Sequence, residues 1–311
     1  MGQAAEALLE IRNLSVSFHR YGNGFAQEEL KAISDLSLTV RRGEVVAVAG
    51  ASGSGKSVLA SAVLGILPGN AAVDGQLLYC GEALTPGRQR ALRGREIALV
   101  PQSVSFLDPL MRVGVQADGS RRPRQTERRR QIFRRLGLPE ETEKLYPFQL
   151  SGGMARRVLV STALLADAQL IIADEPTPGM GLGQALEALR MFREMADEGR
   201  GVVLITHDID LAVGFADRVA VFYAGTTVET APAADFQRGE DALRHPYSKA
   251  LWRALPQNGF QPVAGHQPYA GSLPEGCLFA PRCPCRTEEC ERKTPPVRQV
   301  RGGEVRCFYG A

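Results

Sequence analysis

The sequence of 311 residues predicts an α/β protein with a wound, mainly parallel core sheet. Three observations support this fold class. Short continuous apolar runs are separated by helical patterns in the middle of the chain, as expected for a parallel sheet covered on both faces. Before them, apolar and polar residues alternate as in an antiparallel sheet. From about residue 239 the proline and glycine content rises and the alternation of strand and helix ends.

The elements follow in chain order. Residues 8–18 and 33–40 alternate as two strands of an antiparallel edge sheet, joined by a glycine-rich turn. Residues 45–49 form a continuous apolar strand that runs into Gly50 and then into a helix from Lys56. Further buried strands are predicted at 97–100, 170–173, 202–205 and 219–222.

A polar, arginine-rich segment interrupts this rhythm at residues 103–150, with a helical pattern at 127–136. We interpret it as an inserted helical subdomain that extends over about 103–160. The predicted division is a main domain at 6–238 and a separate, small cysteine-rich C-terminal extension at 239–311.

Charge and hydropathy exclude some classes of protein. Lys and Arg total 37 against 34 Asp and Glu, so the formal charge of +3 is too balanced for nucleic acid to be the main partner. No apolar run reaches the roughly 18 residues that span a bilayer, and the first residues lack the order of a secretion signal. We expect a cytoplasmic protein. The eight arginines of residues 121–135 are interpreted as a solvated helix face, with attraction to anionic lipid as the alternative and nucleic acid as a third possibility.

A phosphate-binding loop is predicted between the third strand and its helix. Residues 50–57 read Gly-Ala-Ser-Gly-Ser-Gly-Lys-Ser, which fits the G-x-x-x-x-G-K-[ST] pattern in full. The backbone N–H groups of Gly50, Ser52, Gly53, Ser54 and Gly55 would surround the phosphates, Lys56 would supply a cation, and the Ser57 hydroxyl would be a ligand of Mg²⁺.

Polar residues follow three of the other buried strands. Asp174 and Glu175 end the strand at 170–173, where ligands bind in open α/β sheets. Asp174 is predicted to hold Mg²⁺, and Glu175 to act as general base for the attacking water. The alternative is that the pair simply caps the following turn.

His207 and Gln102 follow strands that end at the same edge. His207 is predicted to contact the γ-phosphate, although a lone histidine at a strand end is more often structural. The Gln102 amide is predicted to reach Mg²⁺ or the water, while its loop contacts the inserted subdomain.

A second anion-binding feature occurs at residues 150–154, Leu-Ser-Gly-Gly-Met. Ser151, Gly152 and Gly153 open a helix, and a helix start offers free N–H groups and the positive end of a dipole. Because the first loop already serves one nucleotide, this second start suggests a site completed by another subunit.

In this order and spacing, these motifs resemble those of nucleotide-binding subunits of ABC transporters, over about 230 residues. The resemblance implies the P-loop NTPase fold of an ABC cassette and a head-to-tail dimer that holds two ATP molecules. Each ATP would lie between one subunit's phosphate loop and the other's Ser-Gly-Gly helix. Phe18 matches the family's adenine-stacking aromatic residue, with Tyr21 as a substitute and a core aromatic as the alternative.

The C-terminal extension is similar to that of ATPases from oligopeptide, dipeptide and nickel importers. The similarity lies in His245-Pro246-Tyr247-Ser248-Lys249-Ala250-Leu251 and in the segment Gly276 to Cys283. In some relatives four such cysteines hold a [4Fe–4S] cluster, which would place the cluster on Cys277, Cys283, Cys290 and Cys307. By chemistry alone four thiolates would equally suit Zn²⁺, and unligated or disulfide-forming cysteines are the alternative. Cys285 is an extra thiol.

One departure concerns the loop after Glu175. The family has an Asp that reaches across the dimer, but this chain has Gly181 at that position. This departure fits an asymmetric pair of two different ATPases.

The resemblance implies an importer for peptides, nickel or a metal chelate. Its partners would be a paralogous ATPase, two membrane permeases and an extracytoplasmic binding protein, at the cytoplasmic face of the inner membrane. The alternatives are a non-transport ABC ATPase, of the type associated with carbon–phosphorus bond cleavage, or one that acts on nucleic acid.

Overall fold

The computed structural model describes residues 6–21, 27–119 and 125–310. The predicted glycine-rich turn after the first strand lies outside these residues, as do Arg121, Arg122 and Arg124 of the arginine run. The strands are β1 Ala7–Tyr21, β2 Gln27–Arg41, β3 Val45–Gly50, β4 Ala71–Tyr79, β5 Glu82–Ala83, β6 Ile97–Val100, β7 Leu170–Asp174, β8 Gly201–Ile205, β9 Arg218–Tyr223, β10 Thr226–Pro232, β11 Val297–Val300 and β12 Gly303–Arg306.

The helices alternate with these strands through the core and continue into the tail. They are α1 Lys56–Leu64, α2 Pro86–Leu92, α3 Val113–Asp118, α4 Thr126–Arg135, α5 Gly152–Leu164, α6 Leu182–Asp197, α7 Ile209–Val213, α8 Ala233–Arg238, α9 Pro246–Arg253 and α10 Glu288–Arg292. Within the described part of the chain, no helix is both long and apolar enough to cross a membrane.

The core sheet has the strand order β11-β12-β10-β9-β3-β8-β7-β6 in the described residues. The five strands from β9 to β6 are parallel neighbours. Each predicted core strand is present, within one residue at either end. Because all residues of β3, β7 and β8 are buried, these strands are continuous apolar runs except for the terminal Asp174.

Two apolar layers cover the faces of this sheet, and alternate residues of each strand belong to one or the other. Val45, Ala47 and Ala49 face the layer that includes α5 and α6. Val46 and Val48 face the layer that includes α1 and the antiparallel sheet. The strand period of two thus divides β3 between two cores.

The antiparallel sheet has the order β2-β1-β4-β5. The predicted pairing of the first two strands is confirmed, with Leu9 opposite Val40 and Ile11 opposite Leu38. Strands β4 and β5 are additional to the prediction. This sheet packs beside the phosphate loop, because Ala32 of β2 lies close to Gly55 and Gly225.

The inserted segment is helical, as predicted, and contains α3, α4 and three short 3₁₀ turns before α5. The five described arginines of the run all pair with carboxylates of this chain. Their partners are Asp167 for Arg128, Asp118 and Glu143 for Arg129, Glu143 for Arg130, Glu127 for Arg134, and Glu187 and Glu194 for Arg135. These side chains are therefore engaged within the subunit.

The C-terminal extension adds to the core sheet. Strand β12 pairs with β10, with Glu229 opposite Val305, and β11 pairs with β12. Arg306 donates to a carboxylate oxygen of Asp35 at 2.6 Å, which joins the extension to the antiparallel sheet as well. The domain boundary at 239 stays a prediction, but the hydrogen-bonded sheet continues across it.

Candidate functional site

The loop between β3 and α1 has the backbone that its glycines allow. Gly53 and Gly55 have φ of 77° and 97°, a left-handed region in which a side chain is strained. A Cβ at Gly55 would also lie 2.8 Å from the carbonyl oxygen of Ala32. The loop therefore needs glycine at this position both for its conformation and for its packing on β2.

The Lys56 side chain lies within the loop that precedes it. Its Nζ donates to the carbonyl oxygens of Gly50 at 2.8 Å and Ala51 at 3.0 Å. Burial lowers the pKa of Lys56, and the carboxylates of Glu175 and Asp174 oppose that shift. The ammonium group is thus held among oxygen atoms at the point where phosphates are predicted to bind.

Ser57 and Asp174, two of the residues predicted to hold magnesium, lie close together. Burial raises the pKa of Asp174, and a hydrogen bond that the Ser57 hydroxyl donates to it acts in the opposite direction. The Oδ1 atom of Asp174 is buried and has no hydrogen-bond partner among the described residues. An unpaired carboxylate oxygen beside a hydroxyl fits Mg²⁺, which takes oxygen ligands.

Glu175 and His207 are in direct contact. The Glu175 Oε2 atom lies 2.8 Å from Nδ1 of His207, so the carboxylate accepts the Nδ1 hydrogen. Glu175 is buried, whereas 68% of the His207 side chain is exposed. Glu175 also has a φ of 49°, which is uncommon for a residue with a side chain and often occurs at functional sites.

Arg156 of α5 is a site residue that the motifs did not indicate. Its guanidinium donates to the carbonyl oxygens of Pro101, at 2.9 Å, and Gln102. Burial lowers the pKa of Arg156, while the charges of Asp174 and Glu175 raise it. An arginine in a helix carries no signal of such a long-range contact, so only the fold reveals that it holds the Gln102 loop.

One cavity of about 670 Å³ brings eight of the predicted site residues together. It is large enough for a nucleotide-sized ligand. Its lining includes Ser52, Gly53, Gly55, Lys56, Ser57, Gln102, Glu175 and His207, together with Arg156 and Ala270. Gly50 and Ser54 lie in the same loop without lining this cavity. The individual catalytic and ligand roles stay predictions.

Ser151, Gly152 and Gly153 lie elsewhere, at the start of α5. Ser151 caps this helix, because its Oγ accepts from the backbone N–H of Met154 at 3.3 Å. Ser151 and Gly152 are exposed, and none of the three residues lines the cavity described above. The two predicted anion-binding elements of one chain therefore do not meet within that chain.

The predicted adenine contact is not at the cavity. Phe18 lies in β1 opposite Leu30 and Ala71, is half-buried, and packs against the apolar layer of the antiparallel sheet. The side chain of the substitute, Tyr21, lies outside the described part of the structure. Phe18 as a nucleotide contact stays a prediction.

The tail cysteines lie near one another as free thiols. Burial raises the pKa of Cys277, and the neighbouring Cys307 and Cys290 contribute to that shift. Burial likewise raises the pKa of Cys283 to about 11. Among the described residues, however, no three His, Cys, Asp or Glu side chains are arranged to hold a metal ion. The structure does not support the predicted [4Fe–4S] or Zn²⁺ ligation.

Comparisons with known proteins show the family of this chain. The family model described as ABC transporter matches residues 33–178, and that of the oligopeptide/dipeptide transporter C-terminal region matches residues 228–290. The dipeptide transport ATP-binding protein of Escherichia coli is 34% identical, over 97% of each chain. The oligopeptide transport ATP-binding protein of Salmonella typhimurium is 33% identical, over 98% of this chain and 95% of the relative.

Solved structures extend the comparison to the fold. A dimeric ATP-binding cassette with ADP and phosphate bound has a TM-score of 0.64 at 24% identity, and covers 72% of this chain and 98% of that one. Its likeness is therefore one of fold alone. With the site geometry and the relatives, we conclude that this chain belongs to the ATP-hydrolysing, ATP-binding subunits of ABC transporters, in the group with an oligopeptide/dipeptide-type C-terminal region.

Proposed function

We propose that this chain powers the import of peptides through a membrane ABC transporter. The observation that carries the proposal is the combination of a cavity that gathers the phosphate loop, Gln102, Glu175 and His207 with the peptide-transporter type of tail. The relatives named above are dipeptide and oligopeptide transport proteins. They favour peptides over the nickel or metal chelate that the tail alone would also allow.

The geometry supports hydrolysis by a water that Glu175 activates. The Glu175 carboxylate lies at the cavity and is oriented by Nδ1 of His207, so it can accept a proton from the attacking water. A neutral His207 with its proton on Nδ1 has Nε2 as an acceptor. Donation to a phosphate oxygen would therefore require protonation of His207 or release of Glu175.

Ser57 and Asp174 would hold Mg²⁺ beside the phosphates, with Gln102 reaching the ion or the water from its own loop. The ion would neutralise charge that develops on the phosphate oxygens. The chain itself contributes the Asp174 carboxylate, whose Oδ1 could be a ligand of the ion because it has no hydrogen-bond partner in the described part of the chain.

ATP would bind between two subunits. The exposed Ser151, Gly152 and the N-terminus of α5 would meet the phosphates bound by a partner's loop, because they are separate from the cavity of their own chain. We propose a paralogous ATPase as this partner, since Gly181 replaces the expected acid and would make the two composite sites unequal.

A permease helix would dock on the inserted segment. Phe106 and Leu110 are 64% and 88% exposed, and Phe148 is 73% exposed. We take these apolar groups as one docking face, because the Arg112 guanidinium, two residues after Leu110, lies 5.5 Å from the centre of the Tyr146 ring, which stacks on Phe148. This face begins four residues after Gln102, which would connect docking to the ATP site.

Two permeases and an extracytoplasmic peptide-binding protein would complete the assembly, with this subunit at the cytoplasmic face of the inner membrane. ATP binding would close the ATPase pair and shift the permeases, and hydrolysis would reset them.

The proposal is tested by uptake of a labelled dipeptide or oligopeptide in cells that lack the chain. We expect uptake to be lost, to return with the wild-type gene, and not to return with Glu175→Gln. The purified Glu175→Gln protein should bind ATP normally while its kcat falls by about 100-fold or more, because the general base is absent. Glu198→Gln, at the exposed C-terminal end of α6, is the matched control and should restore uptake.

Two results would separate the parts of this proposal. Normal peptide uptake in cells that lack the chain would exclude peptides as the cargo and leave the ATPase assignment intact. Unchanged hydrolysis by Glu175→Gln would remove Glu175 from the role of general base.

A further inference from the structure

The C-terminal extension reaches the phosphate loop of its own subunit at two points. The hydroxyl oxygen of Tyr247, in α9, accepts from the backbone N–H of Ala51 at 3.3 Å. The Nε2 atom of Gln267 donates to the carbonyl oxygen of Gly53 at 3.2 Å. Both bonds cross more than 190 residues of sequence, and neither Tyr247 nor Gln267 belongs to a nucleotide-binding motif.

A backbone contact fixes the segment that carries Gln267. The N–H of Lys31, in β2, donates to the carbonyl oxygen of Ala270 at 3.0 Å. Ala270 also lines the cavity beside the loop. The segment around residues 267–270 is therefore tied to β2 as well as to the phosphate loop.

The two tail bonds act on two peptide planes of the loop. In the plane between residues 50 and 51, the Gly50 carbonyl accepts from Lys56 and the Ala51 N–H donates to Tyr247. In the plane between residues 53 and 54, the Gly53 carbonyl accepts from Gln267 and the Ser54 N–H donates to Ala51. Each peptide plane is hydrogen-bonded at both its carbonyl and its N–H group, and the tail supplies one of these two bonds in each plane.

Tyr247 is itself held rigidly. It is 2% exposed, and its ring centroid lies 4.6 Å from that of Tyr223, at the end of β9, and 5.3 Å from that of Phe279. Its backbone N–H donates to the buried His245 imidazole at 3.0 Å, which caps α9. The hydroxyl thus occupies a fixed position relative to the core sheet.

We propose that Tyr247 and Gln267 are positioning residues of the ATP site, through which the C-terminal extension pre-forms the phosphate loop for nucleotide. A loop whose peptide planes are already fixed loses less conformational entropy on binding, so its affinity is higher. Lys56 is the cation predicted to meet the phosphates. When the Lys56 ammonium leaves the Gly50 carbonyl, the bond from the Ala51 N–H to Tyr247 still holds the peptide plane between residues 50 and 51.

The test measures ATP binding and hydrolysis by the full-length subunit, with a fluorescent ATP analogue for affinity. Tyr247→Phe and Gln267→Ala should each raise Kd and KM for ATP about threefold to tenfold, the change that loss of one hydrogen bond produces. Because neither residue touches the reacting atoms, kcat should change less than twofold. The double variant should bind more weakly than either single variant.

Tyr223→Phe is the matched control for the first variant. It removes a buried hydroxyl from the same aromatic cluster, one that accepts from Arg282 at 3.4 Å rather than from the loop. Gln261→Ala, at an exposed position of the same tail segment, is the control for the second. Both controls should keep the wild-type Kd and KM, even if Tyr223→Phe lowers the melting temperature.

The inference rests on ATP binding by this subunit and is independent of the cargo. Wild-type protein that failed to bind ATP would overturn the ATPase site itself. If wild-type protein binds but Tyr247→Phe binds equally well, the positioning role is excluded. Equal weakening by Tyr247→Phe and Tyr223→Phe would also exclude it, because the effect would then come from the aromatic cluster as a whole.

Discussion

At the scale of single residues, adjacent glycines of α5 face different surroundings. A Cβ at Gly153 would lie 2.6 Å from the carbonyl oxygen of Gly179, whereas a Cβ at Gly152 would have no atom within 4 Å. Gly153 therefore allows the loop after Glu175 to pack directly on the start of α5. This contact links two segments of one chain that are both predicted to face a partner subunit.

We predict that Gly153→Ala lowers the free energy of unfolding by about 1 to 3 kcal/mol, the usual cost of forcing a group into a packed site. The clash is with backbone, which cannot rotate away as a side chain can. Gly152→Ala should be neutral or stabilising by up to about 1 kcal/mol, because the added methyl group has space and restricts the unfolded chain. Urea unfolding measures both, and equal stability of the two variants would contradict the prediction.

The residues that could be predicted from the sequence are those in short motifs with local geometry. Lys56, Ser57 and Glu175 reach one cavity because the loop that follows β3 and the residue that follows β7 come after parallel strands that end at the same edge. Arg156 and Tyr247 could not be predicted in this way. Their contacts with Gln102 and Ala51 depend on the packing of elements far apart in the chain.

At the scale of elements, burial determines which strands could be predicted. Strands β3 and β8 are buried on both faces, so their sequences are continuous apolar runs. Strand β4 has five consecutive exposed residues, and two of the four residues of β11 are exposed. Exposed strands lack a hydrophobic period, because hydrogen bonding with a neighbour rather than burial defines them.

Helix α9 depends on a buried histidine cap, which makes its stability sensitive to acid. His245 is 1% exposed, and burial lowers its pKa to about 3. Its ring nitrogen must stay unprotonated to accept from the Tyr247 N–H. Since an unfolded histidine has a pKa near 6.5, the unfolded state binds the additional proton between these two values.

We predict that, as the pH falls from 7 to 5, proton uptake by His245 in the unfolded state alone lowers the free energy of unfolding by about 2 kcal/mol. The contribution is fully present above pH 6.5 and decreases as the pH falls toward 3. His245→Asn keeps a side-chain acceptor for the cap but does not titrate, so its stability should depend less on pH over this range. Parallel pH profiles of wild-type protein and His245→Asn would refute the assignment.

At the scale of the whole molecule, one fully buried arginine joins the extension to the cassette. Arg244 donates to Glu229 of β10 at 3.2 Å and to Asp235 of α8 at 2.8 Å. It also donates to the carbonyl oxygens of Val300, at the end of β11, and Arg301, in the turn to β12, at 2.6 and 2.5 Å. Because β12 continues the core sheet through β10, the extension and the cassette should unfold together.

We predict a single unfolding transition in urea, with Trp252 fluorescence and far-ultraviolet circular dichroism coinciding. Trp252 is the one tryptophan of the sequence and lies in α9, so its fluorescence reports on the extension.

Arg244→Ala should lower the free energy of unfolding by about 3 to 5 kcal/mol, because the Glu229 carboxylate would remain buried without its cation and Asp235 would keep only its pair with the exposed Arg238. Arg292→Ala removes an exposed pair with Glu288 in α10 and should cost about 1 kcal/mol or less. Separate transitions in the wild-type protein would show that the extension is an independent unit, and an Arg244→Ala effect as small as that of Arg292→Ala would show that the buried ion pairs do not hold it in place.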